Sequence, residues 1–213
     1  MENKPKIIFI FGMHRCGTSL LSNCLIENGF SIGKTKNKDK DWQNPNGYFE
    51  NDALCEIHNE LLKFNNSDWL NINKCKMEYN NYFIDKYRNL LETEFENDNL
   101  ILIKDPRLTF FVDFLKEVCN NIYEYKFLFL TRNKIECCNS LSKAQNKPLD
   151  KIYELYDKTL YFYNESFLKI DHNDIINNNI DILKKIAIFC NFNLINDTEY
   201  IVDLNLYRCR NTK

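Results

Sequence analysis

The chain has 213 residues, of which 44% are hydrophobic and 14% aromatic, so it can form one globular domain with a sizeable core. Its formal net charge of −2 argues against a general nucleic-acid-binding protein, so an anionic ligand has to be held by local clusters of basic residues. Nine cysteines without a Cys-x-x-Cys pair, together with only three histidines, argue against a structural zinc site.

Hydropathy along the chain gives no indication of a membrane protein. No apolar stretch approaches the roughly 20 residues that span a bilayer. The apolar run after Lys6 is about as short as a single strand and does not have the pattern of a cleavable signal. We therefore expect a cytoplasmic protein with no membrane span, in which the cysteines are reduced thiols packed as small hydrophobic residues.

The first predicted element is a buried strand over residues 6–11, which leads directly into Gly-Met-His-Arg-Cys-Gly-Thr-Ser at residues 12–19. A strand, a glycine-bounded turn and a helix start make an anion site, because free backbone N–H groups at the helix N-terminus point at the ligand. The glycine spacing is that of a nucleotide P-loop, but Thr18 stands where a nucleoside triphosphatase needs lysine. The residues expected to bind the anion are Arg15, Cys16, Gly17, Thr18 and Ser19.

Helices are predicted over residues 18–28, 53–64 and 82–95. Between the first two, the Pro-Asn-Gly sequence within residues 44–51 predicts a turn. Glu50 lies just before the second helix, and two interpretations of it stay open. It is either a negative charge that favours the helix dipole or a general base at the rim of a pocket.

A second buried strand, over residues 100–103, is followed by Lys-Asp-Pro-Arg at residues 104–107. Proline is favourable at a helix start, so we expect Asp105 to cap this helix and to form a structural ion pair with Arg107. Lys104 and Arg107 place two cations at the edge of the sheet where the first loop lies, because ligands bind at the carboxyl ends of parallel strands.

A helix over residues 108–119 precedes the third buried strand, over residues 126–131, which ends at Arg132. Ser140 follows in the next predicted helix, over residues 135–145. An offset of eight residues across a strand-to-helix turn can bring both side chains to one anion, so they form a candidate second phosphate site. Arg132 as a salt-bridge partner and Ser140 as a surface residue stay open as alternatives.

The last third of the sequence predicts helices over residues 152–162 and 180–190, with a weaker strand candidate over residues 167–170. Strands that alternate with helices indicate an α/β protein with a mainly parallel sheet. We expect residues 1–213 to form a single domain, since no linker or internal repeat divides them.

Residues 12–19 resemble the 5′-phosphosulfate loop of sulfotransferases that use 3′-phosphoadenosine 5′-phosphosulfate (PAPS), most closely that of the bacterial-type branch. Where this branch commonly has serine, the chain has Cys16, which loses a hydroxyl but keeps the backbone donor. Residues 44–50 and 104–107 also match motifs of that branch. The pair formed by Arg132 and Ser140 resembles the family's 3′-phosphate site.

The chain departs from the family after Arg132, where Asn133 and Lys134 replace the frequent His-Pro. A tail at residues 206–210 is more loosely similar to the family's basic C-terminal segment. The resemblance implies a three-layer α/β/α, P-loop NTPase-like fold and one sulfotransferase-like domain over residues 1–213.

The resemblance also implies an activity, the in-line transfer of a sulfuryl group from PAPS to a hydroxyl acceptor, with no metal. Arg15 is expected to stabilise the charge on the leaving group. Glu50 is the candidate base, and His14 is the second candidate because it lies in the loop and imidazole titrates near neutral pH. Family habit favours a carbohydrate acceptor, and the segments expected to set specificity are residues 32–97 and the helix after Leu149.

Two other functions stay open at the sequence level. A small-molecule P-loop kinase would need Mg²⁺ and normally a lysine at position 18. A nucleotide-binding regulatory module that has lost catalysis would keep the anion sites without the transfer reaction.

Overall fold

A computed structural model describes residues 4–35, 44, 46–74, 76–177 and 179–196. Its sheet consists of the parallel strands β1, Lys6–Gly12; β2, Leu100–Lys104; β3, Glu124–Thr131; and β4, Leu168–Asp171. The strands lie in the order β2-β1-β3-β4. All seven residues of β1 are buried, which explains its nearly continuous apolar sequence. The predicted α/β class and its four strands are confirmed, with strand ends shifted by at most two residues.

The described residues also form α-helices and one 3₁₀-helix, Pro106–Phe111. The α-helices are α1, Thr18–Ile26; α2, Asp52–Phe64; α3, Asn81–Glu94; α4, Val112–Cys119; α5, Lys134–Gln145; α6, Leu149–Tyr161; α7, His172–Asn177; and α8, Asn179–Cys190. Within the described ranges, no helix combines the length and apolar character that crossing a membrane requires.

Three helical segments differ most from the sequence prediction, and one of them, α6, begins at Leu149, three residues before its predicted start. The helix predicted over residues 108–119 begins earlier, at Pro106, and its first six residues take the tighter 3₁₀ turn that is frequent at helix N-termini. The short helix α7 was not predicted, because six residues are too few to show a helical period.

Side chains cover both faces of the sheet. On one face aromatic rings contact one another, namely those of Phe9, Phe11, Phe127 and Phe167. On the other face Lys126 of β3 reaches α8, where its Nζ lies 5.1 Å from the centroid of the Phe189 ring. The sheet is therefore the middle of three layers, as expected.

The strand register brings the carboxyl ends of the strands to one edge. Lys104, the last residue of β2, lies opposite Ile10 of β1, and Thr131 at the end of β3 lies opposite Asp171 at the end of β4. The segments that carry the predicted site residues leave the sheet at this edge, where open α/β sheets bind ligands.

Candidate active site

The loop after β1 has the backbone conformation of a tight anion-binding turn. Arg15 and Gly17 lie in the left-handed region, with φ of 69° and 94°. A Cβ at position 17 would lie 2.4 Å from Cδ2 of His172, so only glycine fits this approach. Helix α1 begins at Thr18, directly after the loop, which places its free N–H groups at the predicted site.

The two predicted anion-binding groups are in direct contact. Nε of Arg15 donates to Oγ of Ser140 at 3.1 Å, and Nη1 of Arg132 donates to the backbone oxygen of Arg15 at 2.9 Å. Arg132 is buried, with Nε 3.4 Å from Oε2 of Glu136, so the salt-bridge interpretation of Arg132 also holds. Ser140 is half-buried and bonded to the loop, so it is more than a surface residue.

Two residues that sequence reasoning missed support this contact. The hydroxyl of Tyr156, in α6, donates to the backbone oxygen of Arg132 at 2.6 Å. Burial raises the pKa of this hydroxyl, so it stays a donor at neutral pH. Sγ of Cys137, in α5, donates to the backbone oxygen of His14 at 3.1 Å and lies 3.5 Å from Sγ of Cys16. Helices α5 and α6 therefore hold the loop and Arg132 together.

The segment around the predicted turn also contacts the loop. Backbone N of Gly47 donates to the oxygen of Asn44 at 3.0 Å, which closes the expected turn, while Pro45 lies outside the described residues. Nδ2 of Asn44 donates to Oγ of Ser19 at 3.2 Å. This hydroxyl lies 3.4 Å from the backbone oxygen of Tyr48. The tail at residues 206–210 lies outside the described residues as well.

Glu50 is half-buried and is paired with Lys104. Its Oε1 lies 2.5 Å from Nζ of Lys104, and the two side chains are 17% and 2% exposed. Sγ of Cys55 lies 3.8 Å from Oε2 of Glu50. The N-cap of α2 is Asn51, whose side chain accepts from the backbone N of Leu54 at 3.0 Å.

Asp105 is the centre of a buried polar cluster. It accepts from the backbone N of Arg107 at 2.9 Å and pairs with the guanidinium of Arg107 at 2.7 Å, as predicted. Its Oδ2 also lies 2.7 Å from Nδ1 of His58, and Nε2 of His58 lies 3.1 Å from the hydroxyl of Tyr87. Burial alone would raise the pKa of Asp105, but Arg107 and His58 hold it well below its usual range.

Part of this cluster has the residue types of a metal site. One ligand atom each from Cys55, His58 and Asp105 lies within 4.8 Å of the others, and all three residues are buried. The carboxylate of Asp105 already accepts from Arg107, so a cation would have to displace that guanidinium. The hydrogen bonds on the carboxylate account for the cluster without a metal.

His14 packs against an aromatic ring that the sequence did not single out. Its ring centroid lies 5.4 Å from that of Trp69, in an edge-to-face arrangement with an interplanar angle of 68°. Burial lowers the pKa of His14 to about 4, and the nearby cations Lys104 and Arg15 lower it further against the opposing charge of Asp105. His14 is therefore a neutral imidazole at neutral pH, and the same shift makes it a weaker base than a free imidazole.

Comparison with known proteins relates this chain to solved sulfotransferase structures. The sulfotransferase domain of the Synechococcus PCC 7002 olefin synthase is similar with a TM-score of 0.56 and 15% identity, over 95% of this chain and 80% of that chain. The sulfotransferase domain from the curacin biosynthetic pathway is similar with a TM-score of 0.54 and 18% identity, over 93% and 79%. No protein-family model and no curated protein matches the sequence. The chain therefore has the P-loop-like α/β fold of these sulfotransferase domains.

Proposed function

We propose that this protein is a PAPS-dependent sulfotransferase that moves a sulfuryl group to a hydroxyl acceptor. The observation that carries the proposal is the contact of Arg15 with Ser140 and of Arg132 with the backbone of Arg15. PAPS has a 5′-phosphosulfate and a separate 3′-phosphate, so it needs two anion-binding groups side by side. The fold shared with sulfotransferase domains supports the same conclusion.

In this proposal the two ends of the nucleotide bind to different segments. The loop residues Arg15, Cys16, Gly17, Thr18 and Ser19 hold the 5′-phosphosulfate with backbone N–H groups, hydroxyls and one guanidinium. Arg132 and Ser140 hold the 3′-phosphate. The carboxylate of Glu136, beside Arg132, orients that guanidinium before the phosphate arrives.

The reaction is an in-line displacement at sulfur. The acceptor oxygen forms a bond to sulfur, the bond from sulfur to the bridging oxygen breaks, and adenosine 3′,5′-bisphosphate (PAP) leaves with the electron pair. Arg15 stabilises the charge that grows on the bridging oxygen, an effect worth on the order of 3 kcal/mol for a fixed donor.

The proton of the acceptor hydroxyl needs a base at the rim. Glu50 is the first candidate, because Lys104 holds its carboxylate in one orientation at 2.5 Å. His14 is the second candidate, because its imidazole is neutral and lies in the loop beside Arg15.

The proposal extends to the organisation of the chain. We propose one sulfotransferase-like domain over residues 1–213 that needs no metal and works in the cytoplasm. Within the described ranges, seven cysteines are free thiols, which fits a reducing compartment.

Transfer of labelled sulfate from PAPS to a panel of glycans, lipids and small alcohols tests this proposal. We expect transfer with PAPS and none with ATP and Mg²⁺, which a kinase would use. Arg15→Ala should lower kcat about 100- to 1000-fold. Arg88→Ala, which removes an arginine bonded to the backbone of Val118 instead, should retain the wild-type rate and serves as the control.

The same assay distinguishes the two candidate bases and tests the competing functions. Glu50→Gln is expected to lower kcat more than His14→Asn if the carboxylate takes the proton. Wild-type rates and PAPS affinity in both Arg15→Ala and Glu50→Ala would overturn the catalytic assignment. Binding of PAPS without transfer to any acceptor of the panel would favour a regulatory module.

A further inference from the structure

Trp69 is an aromatic residue beside the loop that carries Arg15. It lies between α2 and α3, within the segment expected to set specificity, and its half-buried indole packs against His14. His14 is the neighbour of Arg15 in the loop, and the charges of Lys104 and Asp105 act on its imidazole. The indole therefore adjoins His14, one of the two candidate bases of the proposed reaction.

The backbone around Trp69 is held in one conformation. Oδ1 of Asp68 accepts from the backbone N of Leu70 and of Asn71, both at 2.8 Å. From the other side, Nζ of Lys158, in α6, donates to the backbone oxygen of Ile72 at 2.8 Å. A ring fixed in this way loses little conformational freedom when a ligand binds against it, so binding costs less.

Other large rings of the chain are completely buried. Tyr87 and Phe114, for example, contact each other edge-to-face in the core and are at most 1% exposed. Trp69 instead is half-buried, and its ring lies beside that of His14. Indole offers a flat apolar face with one N–H donor, which suits the face of another ring far better than a flexible chain.

We infer that Trp69 is a platform for the acceptor, and that the acceptor carries its hydroxyl on a ring whose face lies against the indole. This inference rests on the proposed sulfuryl transfer and names the substrate class for that site. Sugars and phenols share the required flat face, one through C–H groups and the other through a π system. Linear alcohols lack this face.

Kinetics with three probes test the platform, namely methyl β-glucoside, 2-naphthol and 1-hexanol. We expect Trp69→Ala to lower kcat/KM about tenfold for the better ring acceptor, mainly through KM, and at most about twofold for 1-hexanol. Trp69→Phe should recover part of the loss, and affinity for PAP should not change. Tyr82→Ala removes a ring that is 63% exposed on α3 and is the matched control.

Fluorescence gives a readout that does not depend on turnover. The chain has two tryptophans, so Trp42→Phe leaves Trp69 as the only tryptophan. With PAP bound, each ring probe that is accepted should change this emission saturably, and 1-hexanol should not.

Each outcome supports or overturns the Trp69 platform or the sulfuryl transfer. Equal losses for ring and linear acceptors in Trp69→Ala, or no saturable change in emission, would overturn the platform and leave sulfuryl transfer standing. Saturable binding of a ring probe without any sulfation would support the platform and overturn the transfer reaction. A response to only one of the two ring probes would support the platform and identify the acceptor as a sugar or as a phenol.

Discussion

Gly17 is the residue at which the loop tolerates least change, because two constraints meet there. Its φ of 94° disfavours any side chain, and a Cβ would lie 2.4 Å from His172. Gly17→Ala is expected to destabilise the fold by about 2–4 kcal/mol and to weaken PAP binding at least about tenfold. Urea unfolding and calorimetric titration measure the two effects.

Gly47 supplies the control for backbone strain alone. It also has a positive φ, of 103°, but a Cβ there would meet nothing within 4 Å. Gly47→Ala should therefore cost only about 1 kcal/mol. If the two variants lose equal stability, the close approach of His172 to the loop does not constrain Gly17.

His14 predicts a pH dependence of stability. Its pKa falls from 6.5 in the unfolded chain to about 4 in the fold, so the unfolded state binds more protons between these values. Stability is therefore lost as the pH falls through this range, by about 2 kcal/mol from pH 7 to pH 5 for this residue. Urea unfolding of His14→Asn at pH 7 and pH 5 should therefore show a loss of stability that is smaller by this amount.

His172 serves as an internal reference for this measurement. Burial likewise lowers the pKa of His172 to about 4, so His14→Asn should keep the acid sensitivity that His172 contributes. An unchanged pH dependence in His14→Asn would contradict the assigned burial of the His14 imidazole.

At the scale of elements, Glu94 in α3 fixes the chain that leads to Glu50. Its carboxylate accepts from Nδ2 of Asn51 at 2.8 Å and from the backbone N of Thr35 at 2.6 Å. Asn51 is the N-cap of α2, so this contact ties two helices to the segment before the site. Glu94→Ala should cost about 1–3 kcal/mol in urea unfolding, because buried donors lose a charged acceptor.

The neighbouring Glu92 provides the matched control. It is exposed on the same helix, and Glu92→Ala should change stability by less than about 0.5 kcal/mol. Similar losses in the two variants would mean that the charge of α3, and not the contact with Asn51, stabilises this region.

The elements that sequence could predict are those with a strong local pattern. The apolar runs of β1 and β3 identify buried strands, and the glycine spacing at residues 12–19 identifies the loop. The sequences of the 3₁₀-helix Pro106–Phe111 and of the short α7 show no hydrophobic period that would predict a helix. Their positions follow from a proline, a cap and the end of β4.

The same distinction between local patterns and long-range contacts applies to the residues of the candidate site. The spacing across one strand-to-helix turn predicts that Arg132 and Ser140 share one anion, and in the structure each of them contacts Arg15. Trp69 beside His14, Tyr156 beside Arg132 and His172 beside Gly17 are separated by tens of residues or more along the chain. These contacts depend on how helices and loops pack across the edge of the sheet. The local spacing of residues in the sequence does not predict this packing.

At the scale of the whole molecule, the sheet gathers cations at one edge of a chain whose formal net charge is −2. Lys104 is the last residue of β2, while Arg15 and Arg132 follow the neighbouring strands β1 and β3. Carboxylates of Glu50 and Glu136 pair with Lys104 and Arg132. The positive charge is therefore local, as a binding site for one nucleotide requires.

The central claim is that one pocket binds both phosphates of the nucleotide. Calorimetric titration of PAP and of 5′-AMP, which lacks the 3′-phosphate, tests it on the wild-type protein, Arg132→Ala and Arg88→Ala. We expect the wild type and Arg88→Ala to bind PAP about ten- to a hundredfold more tightly than 5′-AMP, and Arg132→Ala to lose most of this preference. An Arg132→Ala protein that folds normally and keeps the full preference for PAP would contradict it.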